Sequence, residues 1–328
     1  MTQMSIGIDV AKETLDVVLW QDNCTKFKQV ENTERGYHQL SAWIKTNKAS
    51  QAHVCLEATG QYGDGVAEYL YQQGHPVSVV NPARIKHYGN SKLRRNKTDK
   101  ADAGLIALYC AMEKPLLWSP PPLSFKDLQA LVRRLDDMQS IRQQEVNRLK
   151  SGGKTLHVID SLKAAISFFD SQIKAVKKEI EAHINKFPEL KELFDLIITI
   201  PGIGKLTAAK LLGEIRNIRD FKNARQLAAY SGITPSVFLS GTSVHKKSRI
   251  SKTGNANLRK ALYMPAISAK RHNPIVAAFC NRLKERSGLR PMEIVCAAMR
   301  KLLHIVYGVL KSGKPFDPNY LVILQVAS

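Results

Sequence analysis

The sequence has no long apolar run and few cysteines. Nothing in its 328 residues approaches the roughly 18 or more consecutive apolar residues of a transmembrane helix, and its first residues show no secretory layout. The five cysteines are widely scattered and form no Cys-x-x-Cys motif, so neither a zinc site nor a disulfide framework is indicated. We expect a cytoplasmic protein whose cysteines are buried free thiols: Cys24, Cys55, Cys110, Cys280 and Cys296.

Acidic residues are also in short supply. The chain has 28 Asp and Glu against 49 Lys and Arg, which gives a net charge of +21. A field of this sign favours a polyanionic partner, either nucleic acid or a membrane surface. Because no membrane-spanning segment is predicted, we expect nucleic acid to be the partner. The length is sufficient for two or more domains.

Apolar patterns in the first third of the chain predict a mixed α/β domain. They predict three strands within residues 4–31, a helix at 35–47, a strand at 52–57, a helix at 65–73, a strand at 75–80 and a helix from residue 98. This order of strands and helices is that of an RNase H-like fold.

Four acidic residues stand out in this domain because of where they fall. Asp9 interrupts an apolar strand, where an unpaired carboxylate is costly, and Glu57 ends the fourth strand. Asp99 and Asp102 lie on one face of the helix that begins after Thr98. Helix capping by Thr98, with two acidic residues in the first turn, is the alternative explanation for that last pair.

The predicted fold order brings these carboxylates to one edge of the sheet. Converging carboxylates repel one another unless cations lie between them, and Mg²⁺ prefers oxygen ligands. Two Mg²⁺ ions about 4 Å apart would clamp a phosphodiester during attack and departure. The sequence therefore predicts a metal-dependent catalytic site formed by Asp9, Glu57, Asp99 and Asp102.

A basic segment leads up to the last two of these acids. Residues 84–97 contain no acidic residue, and their positive charge suits a phosphate backbone beside the metals. A solvated surface loop is the alternative. The basic residues are Arg84, Lys86, Lys92, Arg94, Arg95 and Lys97.

A Ser-Pro-Pro-Pro run at residues 119–122 marks the first domain boundary. Two long helical patterns follow, separated near Gly152, and predict an antiparallel hairpin or short coiled coil. We therefore expect an α/β domain at 1–120, a helical hairpin at 121–190 and a mainly helical domain at 191–328.

Residues 200–204 (Ile-Pro-Gly-Ile-Gly) have the form of a helix-hairpin-helix turn. Gly202 and Gly204 would let backbone amides at the start of the next helix face a DNA phosphate without side-chain obstruction. A plain turn between two helices would look similar. With the strongly positive charge of the chain, we favour DNA contact.

The stretch from Ser240 to His272 holds eight Lys and Arg and no acidic residue. A Ser-Gly element in a basic field suits a hydroxyl nucleophile that attacks a phosphate, and it equally suits a loop whose serines only bind phosphate. Ser240 and Ser243 are both candidates on chemical grounds. The basic residues are Lys246, Lys247, Arg249, Lys252, Arg259, Lys260, Lys270 and Arg271.

Several motifs together resemble the transposases of the insertion-sequence 110 family, which are DEDD-type recombinases related to the Piv invertases. The resemblance runs in order over nearly the whole chain, and the combination of motifs is more specific than any one of them. The motifs lie at residues 6–13, 56–60, 80–82 and 96–102 in the first half, and at 200–204, 232–235, 240–243, 251–254 and 258–262 in the second.

The resemblance implies a RuvC-like first domain, a family transposase domain at the end, and specific roles for single residues. The four family carboxylates fall on Asp9, Glu57, Asp99 and Asp102, and the essential serine falls on Ser240. The resemblance also implies guidance by a structured bridge RNA and dimers that assemble into tetramers. In such an assembly each active site combines a RuvC-like and a transposase domain from different protomers, and the hairpin would mediate the exchange.

Two other functions remain open from the sequence. A RuvC-like nuclease would hydrolyse branched DNA with a metal-bound water and use Ser240 only to bind phosphate. A non-catalytic nucleic-acid-binding relic is disfavoured because all four carboxylates and the serine are present.

Overall fold

The computed structural model describes residues 4–22, 24–58, 60–92, 98–152, 154–240 and 244–319. It divides the chain into two compact units, Met1–Pro120 and Pro121–Ser328. The first unit is a mixed α/β sheet with helices and the second is mainly helical, which agrees with the predicted fold class.

The first unit contains a five-stranded sheet in the order β3-β2-β1-β4-β5. Strand β1 pairs antiparallel with β2 and parallel with β4, and β5 continues the parallel side. The elements are β1 (Met4–Val10), β2 (Thr14–Gln21), β3 (Cys24–Glu31), α1 (Glu34–Thr46), β4 (His53–Glu57), a 3₁₀ turn (Gly60–Tyr62), α2 (Asp64–Gln72), β5 (Val77–Val80), α3 (Pro82–Ser91) and α4 (Asp99–Glu113).

The alternation of side chains along β1 separates two faces of this sheet. Ile6 and Ile8 are fully buried in a cluster that also contains Leu40 of α1 and Val66 of α2. The other face carries the intervening residues of β1 and is covered by α4. The residues that face α4 decide how closely that helix approaches the sheet.

Helix α3 was not predicted from the sequence. The prediction for residues 84–97 is a basic segment beside the metal site or a surface loop, and neither includes a helix. The sequence nevertheless contains its start signal: the Asn81 side chain accepts a hydrogen bond from the Ala83 amide, and Pro82 occupies the first helical turn. Ile85 and Gly89, one turn apart, are its buried residues. Its basic residues therefore project from a helix and not from a loop.

The second unit begins with a helical hairpin. Its two long helices are antiparallel, since Arg142 forms an ion pair with Asp170 while His183 donates to the Ser124 carbonyl oxygen at the opposite end. The elements are α5 (Leu123–Lys150), α6 (Leu156–Lys186), α7 (Pro188–Ile198), α8 (Lys205–Ile215), a 3₁₀ turn (Ile218–Asp220), α9 (Ala224–Tyr230), β6 (Pro235–Ser240), β7 (Val244–Ile250), α10 (Ala256–His272), α11 (Pro274–Ser287) and α12 (Pro291–Ser312).

The hairpin and the helices that follow it share one hydrophobic core. Leu128 and Leu135 of α5 are fully buried in the same cluster as Ile197 of α7 and Leu211 of α8. The antiparallel pair β6–β7 is an addition that sequence reading did not predict. Ser240 and the basic residues Lys246, Lys247 and Arg249 lie on these two strands.

No helix in the described parts of the chain is both long enough and apolar enough to span a membrane. All five cysteines are free, as predicted. Their predicted burial is wrong for Cys24, which is exposed at the start of β3, and Cys296 is only partly buried.

Candidate active site

Helix α4 lies unusually close to β1 because Gly7 has no side chain. A Cβ atom at Gly7 would come within 2.2 Å of both the Ala103 carbonyl oxygen and the Ala107 nitrogen. Two residues earlier on the same face, the buried Ser5 hydroxyl donates to the Ala107 carbonyl oxygen at 2.7 Å. The helix therefore runs antiparallel to β1, and its first turn lies toward the carboxyl end of that strand.

Two of the predicted acids lie at this end of the sheet. Ile8 of β1 pairs with Leu56 of β4, and Asp9 and Glu57 are the next residues on the two parallel strands. Because Gly7 pairs with Cys55, the alternation of side chains places Asp9 and Glu57 on the face that α4 covers. Both side chains are partly buried.

The other two predicted acids lie in the first turn of α4. Thr98 is the N-cap residue, as predicted, and its hydroxyl accepts a hydrogen bond from the Ala101 amide at 3.2 Å. Asp99 is exposed and Asp102 is partly buried. Capping therefore accounts for the start of the helix, while the direction of the helix brings both carboxylates toward Asp9.

The electrostatics of Asp9 show that Asp99 and Asp102 lie close enough to act on it. The pKa of Asp9 is raised above its ordinary value, first by burial and then by the negative charges of Asp102, Asp99 and Asp16. A hydrogen bond from the Val10 backbone opposes this change. A buried carboxylate whose pKa is raised by neighbouring acids is characteristic of sites that bind cations or transfer protons.

Asp16 is a fifth acid at this edge, and the sequence reading missed it. It is the direct antiparallel partner of Asp9 and is only 4% exposed. Gln29 donates to its Oδ1 atom at 3.0 Å. Burial raises its pKa; the Gln29 hydrogen bond opposes this, and the charge of Asp99 adds to it. Asp16 could have been predicted in the same way as Asp9, because it too is a charged residue inside an apolar strand.

Within the described ranges, no three acidic, histidine or cysteine side chains come close enough together to hold a metal ion. The carboxylates are thus near enough to repel one another without forming a preassembled ligand shell. Their chemistry, an all-carboxylate donor set at the end of parallel strands, is nevertheless that of a site for a hard divalent cation.

The basic segment before α4 is described in part. Arg84 and Lys86 are exposed on α3, and Lys92 ends that helix with its ammonium 5.4 Å from the centre of the Tyr88 ring. Arg94, Arg95 and Lys97 lie outside the described residues.

In the second unit the two glycines of the predicted DNA-binding turn have different environments. Gly202 has a φ of +97°, and a Cβ there would lie 2.8 Å from the Ala269 backbone of α10, so Gly202 is needed for packing. Gly204 is the N-cap of α8, has open space around it and makes no side-chain cap hydrogen bond. Of the two, only Gly204 lies at an unobstructed helix end.

Of the Ser-Gly element at residues 240–243, only Ser240 is among the described residues. Ser240 is the last residue of β6 and pairs with Val244, but its side chain lies outside the described part of the structure. The same holds for the side chains of Lys246 and Lys247 on β7, and for Ser243 altogether.

The described cations near this hairpin divide into two groups. Arg249, Lys252 and Lys260 are exposed, and Lys260 lies 3.8 Å from an Asp136 carboxylate oxygen. Arg259 instead donates to the carbonyl oxygens of Ser231 and Lys252, at 3.0 and 3.3 Å, so it supports the connection between β7 and α10. A nucleic-acid phosphate would therefore have to compete with these two carbonyl groups for the Arg259 guanidinium.

The chain is similar to DNA transposases in both of its units. A family model described as "Transposase IS116/IS110/IS902 family" matches residues 194–281. A second, the IS110 model of the DEDD type described as "Transposase", matches residues 6–156.

Individual relatives agree with this class. The chain is 37% identical over 326 residues to the pilin gene-inverting protein of Moraxella bovis, covering 97% of this chain and 98% of that one. The transposase for insertion sequence element IS1111A of Coxiella burnetii is 24% identical over 299 residues, covering 81% and 78%. The chain belongs to the IS110 family of transposases, and it is an enzyme of DNA rearrangement.

Proposed function

We propose that the chain is the transposase of an insertion sequence and acts as a site-specific recombinase that cuts and rejoins DNA at the carboxylate edge of its first unit. The observation that carries this proposal is the position of Asp9 and Glu57 at the same end of adjacent parallel strands, on the face covered by α4, whose first turn contains Asp99 and Asp102. The sheet order and the crossing of α4 support an RNase H-like, RuvC-like fold for this unit.

Asp9, Glu57, Asp99 and Asp102 would hold divalent cations, which we take to be two Mg²⁺ ions. Such ions, when bound, neutralise charge on the scissile phosphate and activate the attacking oxygen. The protein's own contribution is to hold the carboxylates close together despite their repulsion, which bound cations would relieve. The close approach of α4 at Gly7 provides this enforced proximity.

The nucleophile in this proposal is Ser240. Its hydroxyl oxygen attacks a DNA phosphorus, forming a serine–phosphate bond to the 5′ side while the bond to the 3′ oxygen breaks. The 3′ oxygen leaves as a hydroxyl, so the proton that the serine loses is balanced by the one that the leaving group gains. A new 3′-hydroxyl then reverses the step, and no external energy source is needed. Support comes from the position of Ser240 at the end of β6, in a basic segment of the sequence.

The partners follow from charge and family. DNA is the substrate class of a transposase. The net charge of +21 is large enough to favour binding of a second polyanion as well. We propose that this is a structured bridge RNA and that the chain forms dimers that assemble into tetramers. Segments 1–120, 121–190 and 191–328 would divide catalysis, assembly and serine chemistry, the last two within one compact unit.

We retain the nucleic-acid contacts predicted from the sequence except for Gly202 and Arg259. Gly204 and the exposed cations are suited to phosphate contact. Gly202 instead packs against α10, and Arg259 donates to a backbone carbonyl oxygen within the second unit. The proposed contacts are Arg84, Lys92, Arg94, Arg95, Lys97, Gly204, Lys246, Lys247, Arg249, Lys252 and Lys260.

The test of the chemistry is covalent trapping on a nicked DNA substrate. Ser240→Ala should abolish the denaturant-resistant protein–DNA adduct, and Ser243→Ala should retain it. Asp9→Asn and Glu57→Gln should abolish both adduct and recombination, while Glu13→Gln, an exposed acid in the β1–β2 turn, should do neither. Cleavage with no adduct in the wild type would instead indicate a metal-dependent nuclease that hydrolyses DNA.

The test of the RNA partner is separate. Protein expressed with the DNA that flanks its gene should co-purify with one discrete RNA, and binding should weaken steeply with salt because each neutralised phosphate releases counterions. Recombination that proceeds equally well after RNase treatment would exclude guidance by RNA.

A further inference from the structure

Asn32, in the turn between β3 and α1, connects two loops that are far apart in sequence. Its side-chain nitrogen donates to the Ala11 carbonyl oxygen at 3.0 Å and to the Tyr62 carbonyl oxygen at 3.0 Å. Ala11 directly follows β1, and Tyr62 ends the 3₁₀ turn that follows β4. One carboxamide thus joins the segments that leave the two central strands.

This connection lies where the sheet no longer provides one. The parallel ladder between β1 and β4 ends with the pair Ile8 and Leu56. Asp9 and Glu57 are the next residues; each is still paired with its outer neighbour, Asp9 with Asp16 and Glu57 with Val80, but no ladder pair joins β1 to β4 at this point. In the described part of the structure, the two hydrogen bonds from Asn32 span this gap.

The orientation of the Asn32 amide is itself fixed. The Tyr37 hydroxyl donates to its Oδ1 atom at 2.6 Å, which leaves the amide nitrogen directed at the two carbonyl groups. The Asn32 backbone amide donates to the Glu13 carbonyl oxygen at 2.9 Å and anchors it to the β1–β2 turn. The Tyr37 hydroxyl is close-packed, because a Cβ on Gly65 would come within 2.8 Å of it.

We propose that Asn32 is a positioning residue that sets the separation of the Asp9 and Glu57 carboxylates for a divalent cation, with Tyr37 fixing its orientation. This inference rests on the proposed function, since it assigns Asn32 a task at the same carboxylate edge. Asn32 acts through the backbone of Ala11 and Tyr62 and needs no contact with metal or DNA.

The test uses the full-length chain and measures metal binding directly, by calorimetric titration with Mn²⁺ and Mg²⁺. Asn32→Ala should weaken cation affinity by about tenfold, in the range observed when partners that orient metal ligands are removed. Asn47→Ala is the matched control: Asn47 is similarly half-buried, donates to the Trp43 carbonyl oxygen and lies at the other end of α1. It should leave cation affinity unchanged.

A second measurement needs no metal. Hydrogen exchange of the metal-free Asn32→Ala protein should accelerate in residues 10–14 and 60–64, and exchange in the centre of β1 should not change. Equal cation affinity in the wild type and Asn32→Ala would overturn the positioning role and leave the proposed function standing. A wild-type chain that binds neither cation would overturn both.

Tyr37→Phe provides the milder variant if Asn32→Ala does not fold. It removes only the hydroxyl that orients the amide and should weaken cation affinity in the same direction by a smaller factor. Tyr69→Phe is its control, since Tyr69 packs against the Tyr37 ring and its hydroxyl contacts His38. Equal losses in the two variants would mean general loosening of this helix pair and would contradict the proposal.

Discussion

Gly7 of β1 and Ala103 of α4 are in a contact that only glycine permits, because a Cβ on Gly7 would lie 2.2 Å from the Ala103 carbonyl oxygen. This contact determines how close the first turn of α4, with Asp99 and Asp102, comes to the carboxyl ends of β1 and β4. The absence of a side chain at Gly7 is therefore needed both for the packing of α4 on β1 and for the position of the two acids.

We predict that Gly7→Ala destabilises the first unit by about 3 kcal/mol, because the added methyl group must displace a packed helix. It should also abolish recombination by moving the first turn of α4. Gly104→Ala is the matched control in α4: nothing lies near its added Cβ, and the change should stabilise the helix by about 0.5–1 kcal/mol. Urea unfolding followed by circular dichroism measures both, and similar effects in the two variants would refute the packing argument.

The raised pKa of Asp9 predicts how stability depends on pH. Its folded form holds the proton more tightly than the unfolded chain does, so stability is lost as pH rises from about the ordinary value of 3.8 through the folded pKa. Asp9→Asn removes this loss. In EDTA the variant should therefore gain stability over the wild type as pH rises through this window, and it should keep the gain at pH 7.

Thermal unfolding of both proteins across this pH range measures the difference. Glu13→Gln, in the exposed turn after β1, serves as the control and should follow the wild type. An Asp9→Asn variant less stable than the wild type at pH 7 would show that the carboxylate is stabilised by the fold and would contradict the repulsion argument.

The open N-terminus of α8 predicts a charge-specific effect at Gly204. Its φ of −88° and ψ of 167° suit an N-cap side chain, so Gly204→Asn and Gly204→Asp should both fold and differ from the wild type by only a few tenths of a kcal/mol. If this helix end faces a phosphate, Asp but not Asn should weaken nucleic-acid binding about fivefold, since a unit charge close to a phosphate in water is worth about 1 kcal/mol. Equal affinities of the two variants would remove α8 from the interface.

An ion pair between a buried carboxylate and a half-exposed arginine stabilises the second unit. Glu214 of α8 is 2% exposed at its side chain and accepts two hydrogen bonds from Arg133 of α5, at 2.8 and 2.9 Å, and one from Asn255 at 2.7 Å. Burial would raise the Glu214 pKa, but these hydrogen bonds outweigh it and hold the pKa below its ordinary value of 4.5. The pair therefore adds stability above this pH and loses it as pH falls through the folded pKa.

Arg133→Ala should cost about 3 kcal/mol at pH 7, because it leaves a buried carboxylate without its cation. Arg142→Ala is the control from the same helix. Arg142 makes a similar two-pronged contact with Asp170, but on the exposed surface, where such pairs contribute little. Comparable losses in the two variants, measured by urea unfolding, would show that burial is not what makes the Glu214 pair important.

The sequence by itself determined the elements whose signals are local. Periodicity identified the strands of the first unit and the two long hairpin helices, and the motif at residues 96–102 placed the N-cap at Thr98. The sequence also contains local signals for α3, which was not predicted: Asn81 and Pro82 mark the start of this helix. The family followed from motifs distributed along the chain.

Only the tertiary structure decided which side chains meet. Asp16 joins the acidic edge because the register of β1 and β2 pairs it with Asp9, and a shift of one residue would turn it to the other face. Asn32 reaches carbonyl groups 21 and 30 residues away, and α10 leaves no room for a side chain at Gly202. Periodicity records which face of an element is apolar, whereas such contacts depend on register and on how closely elements approach, and these are set by packing between distant segments.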